Sequence, residues 1–192
     1  DLKMPEEINR IITDSITDYF FTTSRFANQN LKKLGINNKK IFFVGNTMID
    51  TLKSKINDLK KPTFYDKILE HNKFFLLTIH RPSNTNKLDD LKKNLFLISN
   101  LSNNYKVILP AHPRLKKKIK MLKKIPANIY VTKPLSYLEF NYLLKKCKAV
   151  ITDSGGITEE ATYLKKPCIT LRETTERPET IIEGSNVLVG KS

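Results

Sequence analysis

Val150-Ile151-Thr152-Asp153-Ser154-Gly155-Gly156-Ile157-Thr158-Glu159-Glu160-Ala161 is the stretch on which the reading of the fold turns. A short apolar run meets two glycines, and a helical pattern leaves them. That order predicts a strand, a tight turn and a helix. The first backbone N–H groups of a helix have no intrahelical partner and lie at the positive end of its dipole. Two glycines at that point let an oxygen-rich ligand come close to the backbone. Asp153 or Ser154 can cap the helix, and the Ser154 hydroxyl can also bond a phosphate oxygen. Taken alone, a capped strand-to-helix turn with no ligand accounts for these residues equally well.

Strands and helices alternate on both sides of this turn. Upstream, strands are expected at Phe74–Ile79, Lys106–Leu109 and Ile129–Thr132, and downstream at Cys168–Leu171 and Val187–Val189. The intervening segments 87–101, 115–123, 138–146 and 176–183 carry helical patterns. Short strands separated by helices imply βαβ units, hence an α/β, Rossmann-like parallel sheet with helices on both faces. Residues 74–192 read as one such domain. Residues 1–50 read as the end of a preceding α/β domain with crossover helices, and 51–73 as connecting helices. Within the first part, Ile8, Ile11, Ile12 and Ile16 recur at helical spacing, and Ser24 opens a helix that stops at Gly35.

Bulk properties narrow the function classes. The 192 residues are 40% hydrophobic and 28% charged, an ordinary globular balance. No apolar run approaches the roughly 20 residues that span a bilayer, so no membrane partner is expected. The formal charge of +15 raises nucleic acid as a partner. The lysines, however, are spread over helices, as in Lys116-Lys117-Lys118 and Lys123-Lys124, and read as solvated faces; no nucleic-acid partner is expected. Two isolated cysteines, Cys147 and Cys168, suit small core positions and a reducing, cytoplasmic setting. No Cys/His spacing suggests a metal, and no cofactor is expected.

Three further segments fall near strand ends. Leu171-Arg172-Glu173-Thr174-Thr175-Glu176-Arg177-Pro178-Glu179 follows the strand after the glycine turn and opens onto the same sheet edge. An arginine there can meet a phosphate, a ribose or a carboxylate, or belong to a surface charge cluster. Thr78-Ile79-His80-Arg81-Pro82-Ser83-Asn84 ends the first strand of the domain, and Ala111-His112-Pro113 ends the next. A histidine at such a place can act as acid or base, bond phosphate, or simply pack. Met4-Pro5-Glu6-Glu7-Ile8-Asn9-Arg10 has the proline and acids of an ordinary helix first turn.

Together, Pro5 to Arg10, Ser24 to Leu31, Gly45 to Asp50, His80 to Asn84, Ala111 to Pro113, Thr152 to Ala161 and Thr174 to Glu179 resemble the UDP-N-acetylglucosamine 2-epimerases, in the right order and over nearly the whole chain. The resemblance implies a GT-B-type enzyme of two Rossmann-like domains with the active site in the cleft, of which the N-terminal sheet is largely missing here. It implies an isomerase that interconverts UDP-GlcNAc and UDP-ManNAc by eliminating UDP and adding it back, acting in cell-surface polysaccharide biosynthesis and as a homodimer when full length. Residue by residue, it implies that Ser154, Gly155 and Gly156 hold the diphosphate and Glu160 the ribose hydroxyls. Arg177 would contact the nucleotide, and Phe140 would lie beside the uracil, with Leu135 nearby offering backbone contacts. His80 and Glu6 would be catalytic. Arg81 and His112 would be candidates for an allosteric site.

The chain departs from the family pattern at two positions. The family commonly has an acid where Ser83 stands, and a glycine where Lys165 stands. Two of the family's acids would lie before Asp1, so the resemblance also implies that residues 1–192 alone are catalytically inactive while binding UDP weakly. A hydrolysing relative that releases UDP and ManNAc, and a GT-B glycosyltransferase, remain the alternatives at this stage.

Overall fold

The computed structural model describes residues 5–69, 74–102 and 105–190, with side chains from residue 7 onward. The chain divides into two compact units, residues 1–47 and 48–192. In the first unit, α1 (Pro5–Ile16) precedes a parallel pair, β1 (Phe20–Thr22) and β2 (Ile41–Phe43). Between them runs α2 (Arg25–Lys33), whose first turn is capped by the Ser24 hydroxyl accepting from Ala27 N. The expected start of that helix is therefore where the hydroxyl at Ser24 places it. Glu6 lies in the first turn of α1, and its side chain is outside the described residues.

Helix α3 (Thr47–Lys55), which belongs to the second unit from Met48 onward, and α4 (Tyr65–Ile68) come first there. Six strands follow: β3 (Phe74–Thr78), β4 (Lys106–Pro110), β5 (Ile129–Thr132), β6 (Ala149–Thr152), β7 (Cys168–Thr170) and β8 (Asn186–Leu188). They form one all-parallel sheet in the order β5-β4-β3-β6-β7-β8. Counted from β3 as the first strand, that order is 3-2-1-4-5-6, the doubly wound arrangement. The connections carry α5 (Pro82–Thr85), α6 (Leu88–Leu101), α7 (Pro113–Met121), α8 (Tyr137–Lys146), α9 (Gly155–Tyr163) and α10 (Glu179–Ile182).

Alternation along the central strands builds a core on each face. Leu77, Val107, Leu109 and Ile151 pack with Leu91 and Leu95 of α6 and with Leu115 and Ile119 of α7. Phe74, Leu76, Ile108 and Val150 pack with Leu143 and Leu144 of α8 and Ala161 of α9. Helices thus cover both faces, which is why these strands read as nearly continuous apolar runs. Cys147 and Cys168 are free thiols buried in the second of these cores. Burial pushes their thiols up to about 12 and about 11, so they pack as small apolar side chains.

Two helices end in the same way with different residues. After α2, Gly35 N donates to Lys32 O and Ile36 N to Leu31 O, with Gly35 at φ +82°. After α9, Lys165 N donates to Thr162 O and Lys166 N to Ala161 O, with Lys165 at φ +54°. Both are Schellman endings, which need a left-handed residue and favour glycine. Lys165 is the one described non-glycine residue with positive φ. The glycine that the resemblance leads one to expect at this position would fit this backbone without strain. Lys165→Gly is expected to raise stability by up to about 1 kcal/mol, read as a higher urea midpoint with unchanged slope.

Candidate functional site

The strand order reverses between β3 and β6, and both carboxyl ends there open into a crevice. The Thr78 and Thr152 hydroxyls meet across the two strands at 2.7 Å. Just beyond them the Asp153 carboxylate is fully buried and binds the neighbouring loop. It accepts from His80 N at 3.0 Å, Arg81 N at 2.9 Å and Asn84 Nδ2 at 3.0 Å, and pairs with His80 Nδ1 at 2.7 Å. Arg81 Nε in turn donates to the Asp153 carbonyl at 3.1 Å. Burial pushes the Asp153 carboxyl up, but His80, Asn84 and the Arg81 N–H outweigh it and hold the group below its ordinary range. Its hydrogen bond raises the His80 imidazole above its ordinary value against the opposing effect of burial. With Nδ1 occupied by Asp153, Nε2 is the nitrogen of His80 left for a ligand.

Asp153 therefore does not cap α9. Ser154 occupies the N-cap position, but its side chain makes no capping bond, and its own N–H is taken by the Thr152 hydroxyl at 3.0 Å. The expected glycine turn is also different in kind. Gly155 and Gly156 are the first two residues of α9 and are not at positive φ. Close approach distinguishes the two: at Gly156 a side chain would have to push Met48 aside, whereas at Gly155 there is room for one. A Cβ at Gly156 would lie 2.7 Å from Met48 Cε, and one at Gly155 would lie 3.7 Å from Glu176 Oε2. Bare backbone keeps the first-turn N–H groups of α9 approachable, which is what an anion needs.

A cavity of about 460 Å³ opens beside this helix start, a size that suits a small organic ligand. Its lining includes Leu135, Phe140, Met48, Gly156, Tyr137 and Glu160. Glu160 is buried, and burial pushes its carboxyl above the ordinary range although Tyr137 and Asn141 donate to it. The Tyr137 hydroxyl is itself pushed up to about 12 by burial and by the Glu160 charge. The side chain of Glu160 is thus a fixed acceptor inside a largely apolar pocket. His112 lines the same cavity from the end of β4, where it also starts α7 by accepting from Arg114 N at 3.5 Å.

On the β7 side, the Arg172 side chain is nine-tenths buried and holds Glu176 through two bonds of 2.7 and 2.9 Å. Arg81 approaches the same carboxylate at 3.6 Å. Arg177 turns the other way, with its Nε 2.9 Å from Glu159 Oε1 on the buried side of α9. The alternative to a ligand-binding arginine, a surface charge cluster of Glu176, Arg177 and Glu179, is not what forms: Glu176 pairs with Arg172 and Arg177 with Glu159. The helix expected over 176–183 is confined to Glu179–Ile182, because Pro178 begins it.

Of the residues singled out from the sequence, Leu135, Phe140, Ser154, Gly156, Glu160 and His112 line one cavity. Gly155, His80 and Arg81 border the crevice beside it. Arg177 is engaged with Glu159 instead. Sequence reasoning missed Asn84, Tyr137, Met48 and Arg172. Asn84 and Arg172 stood inside the quoted segments, but their partners are 69 positions away and four positions away respectively, and only the long-range one needs the fold.

The family model described as UDP-N-acetylglucosamine 2-epimerase matches residues 1–192. The chain belongs to the UDP-N-acetylglucosamine 2-epimerase family. A relative in Methanococcus maripaludis named UDP-N-acetylglucosamine 2-epimerase is 44% identical over 99% of this chain and 55% of its own length. The crystal structure of Methanocaldococcus jannaschii UDP-GlcNAc 2-epimerase in complex with UDP-GlcNAc and UDP superposes with a TM-score of 0.86 at 40% identity, over all of this chain and 56% of that one. The enzyme of that name from Neisseria meningitidis bound to UDP-GlcNAc matches at TM-score 0.83 and 32% identity, over 98% and 53% of the two chains. The chain thus spans about half the length of these epimerase-family relatives. Among the described residues, no helix is long and apolar enough to cross a membrane.

Proposed function

We propose that this chain is the UDP-binding part of a UDP-N-acetylglucosamine 2-epimerase, an isomerase that interconverts UDP-GlcNAc and UDP-ManNAc. The observation that carries this reading is the single cavity in which a bare helix start, a buried carboxylate and an aromatic wall converge. The start of α9 at Ser154, Gly155 and Gly156 receives the diphosphate. Glu160 accepts from the ribose hydroxyls, and Phe140 lies beside the uracil, with Leu135 nearby offering backbone contacts. Arg177 contacts the nucleotide only after leaving Glu159. On this reading residues 1–50 end one domain, 51–73 connect, and 74–192 form the nucleotide domain. The whole enzyme works as a cytoplasmic homodimer, a setting supported by two free buried thiols.

The reaction follows from the ligand's chemistry. A base takes the proton from C2, the electron pair forms the C1–C2 double bond, and the C1–O bond breaks to release UDP. Proton delivery to the other face of C2 and attack of UDP oxygen on C1 then give the epimer. The negative charge that builds on the departing diphosphate is stabilised by the α9 N–H groups and by His80, whose raised value keeps it cationic to higher pH. Glu6 and His80 are the catalytic groups of this set, with Arg81 and His112 available for control by substrate.

Calorimetric titration of the folded chain with UDP, set against an oligonucleotide, tests the binding reading. UDP is expected to bind and the oligonucleotide not to. Epimerisation is tested by incubating the full-length enzyme with UDP-GlcNAc in D2O: deuterium at C2 and retained UDP-ManNAc support the reading, free ManNAc moves it to hydrolysis, and a folded full-length protein that ignores UDP ends it; residues 1–192 alone are expected to show no turnover.

A further inference from the structure

The start of α9 already faces an anion supplied by the chain itself. Glu176 Oε2 lies 3.7 Å from the point where a Gly155 Cβ would stand. Its two oxygens are held by Arg172 at 2.7 and 2.9 Å, and Arg81 closes from the β3 side at 3.6 Å. The Arg172 guanidinium is only 8% exposed, whereas Glu176 is mostly exposed, so the arginine is the fixed partner and the acid the movable one. A cationic side chain, a second one from another loop and a helix dipole all point at a single carboxylate. Apart from its own backbone N–H, the Glu176 carboxylate has no partner but these two arginines among the described residues.

We propose that Glu176 is an internal stand-in for the diphosphate. Its carboxylate occupies the anion position between Arg81, Arg172 and the α9 N-terminus, and an incoming diphosphate displaces it and takes over Arg172 as a ligand. The inference rests on the UDP reading of this site and adds Arg172 and Glu176 to it. Arg172 holds Glu176 down to about 2, so the acid stays ionised and competes at every working pH. A diphosphate offers more charge and more acceptor oxygens than one carboxylate, and so it can win both arginines. A weaker anion cannot, and Glu176 therefore sharpens the choice of ligand as well as keeping the two arginines in place while the site is empty.

Titration of the full chain with UDP and, separately, with uridine tests this. Glu176→Gln is expected to bind UDP about tenfold more tightly with uridine affinity unchanged, because only the phosphate-bearing ligand competes with the acid. Arg172→Gln is expected to weaken UDP about tenfold and again to leave uridine alone. If E176Q binds UDP no tighter, or if UDP and uridine shift together, Glu176 is a support of the loop and the inference fails while the UDP reading stands. If neither wild type nor E176Q binds UDP, the reading and the inference fall together. A measurement on wild type covers the case of misfolded variants: the Arg172 Nε–H resonance is expected to move with inorganic pyrophosphate and not with uridine, and a resonance that stays overturns the exchange.

Discussion

Asp153→Ala is expected to lower the melting temperature by about 10 °C and to abolish measurable UDP binding. The carboxylate is fully buried, and its loss leaves His80 N, Arg81 N and Asn84 Nδ2 without their acceptor. Each donor left unpaired costs about 1–3 kcal/mol, and the lost pairing with His80 adds little because that ring is 60% exposed. For a chain of this length each kcal/mol corresponds to roughly 2–4 °C. The binding loss follows because most of the hydrogen bonds between the loop after β3 and the residues leading into α9 end on this side chain. Asp66→Asn, at an exposed pair with Lys61, is the control and should melt with wild type.

The pH dependence of the same contact has a definite sign. Asp153 is held below its ordinary value, so its contribution is present above about pH 4 and is lost as pH falls through the depressed value. His80 is held above its ordinary value, so its contribution is present below about pH 6.5 and is lost as pH rises through the raised value. The difference in stability between wild type and Asp153→Ala should therefore be greatest between about pH 4 and 6.5. Denaturant midpoints of both proteins across pH check this, and a difference that is flat with pH contradicts the pairing.

Glu160→Gln is expected to weaken UDP and uridine alike, by about ten- to a hundredfold. A hydrogen bond to a charged acceptor is worth about 1.5–3 kcal/mol, and 1.4 kcal/mol is tenfold. Uridine carries the ribose without the phosphates, so an equal loss on both ligands assigns Glu160 to the ribose. A loss confined to UDP would remove it from that role. Burial pushes the Glu160 carboxyl up, so wild-type affinity should fall as pH drops through that raised value, while the Gln variant stays flat. The sign for stability is opposite to that of Asp153. A carboxyl raised on folding contributes below its unfolded value and costs stability as pH rises through the folded one. Glu160→Gln should accordingly melt no lower than wild type at neutral pH, which separates it from Asp153→Ala.

Much of this architecture was legible in the residues themselves. Six short apolar runs separated by helical patterns correspond to six parallel strands. Ser24 and Gly35 mark the two ends of one helix, and the cysteines sit in the core as expected. The missed helix at Pro82–Thr85 is a single short turn with too few residues to show a period. The helix expected over 176–183 overreached because charge spacing was read across Pro178.

What the sequence determined by itself was local: apolar periodicity, the glycines before α9, and the caps and stops, each decided by residues within a few positions. It also determined the family, because ordered segments spread over the chain match as a set. Only the tertiary structure decided what Asp153, Arg177 and Glu176 do. All three looked like members of a local cap or charge cluster. Asp153 instead reaches across 73 positions to the His80 loop, because β6 lies beside β3 at the point where the strand order reverses. Arg177 meets Glu159 on the buried side of α9, and Glu176 meets Arg81 from the far strand. Side-chain partners across a parallel sheet are set by strand order and register, and those are fixed by packing both faces at once rather than by any one segment.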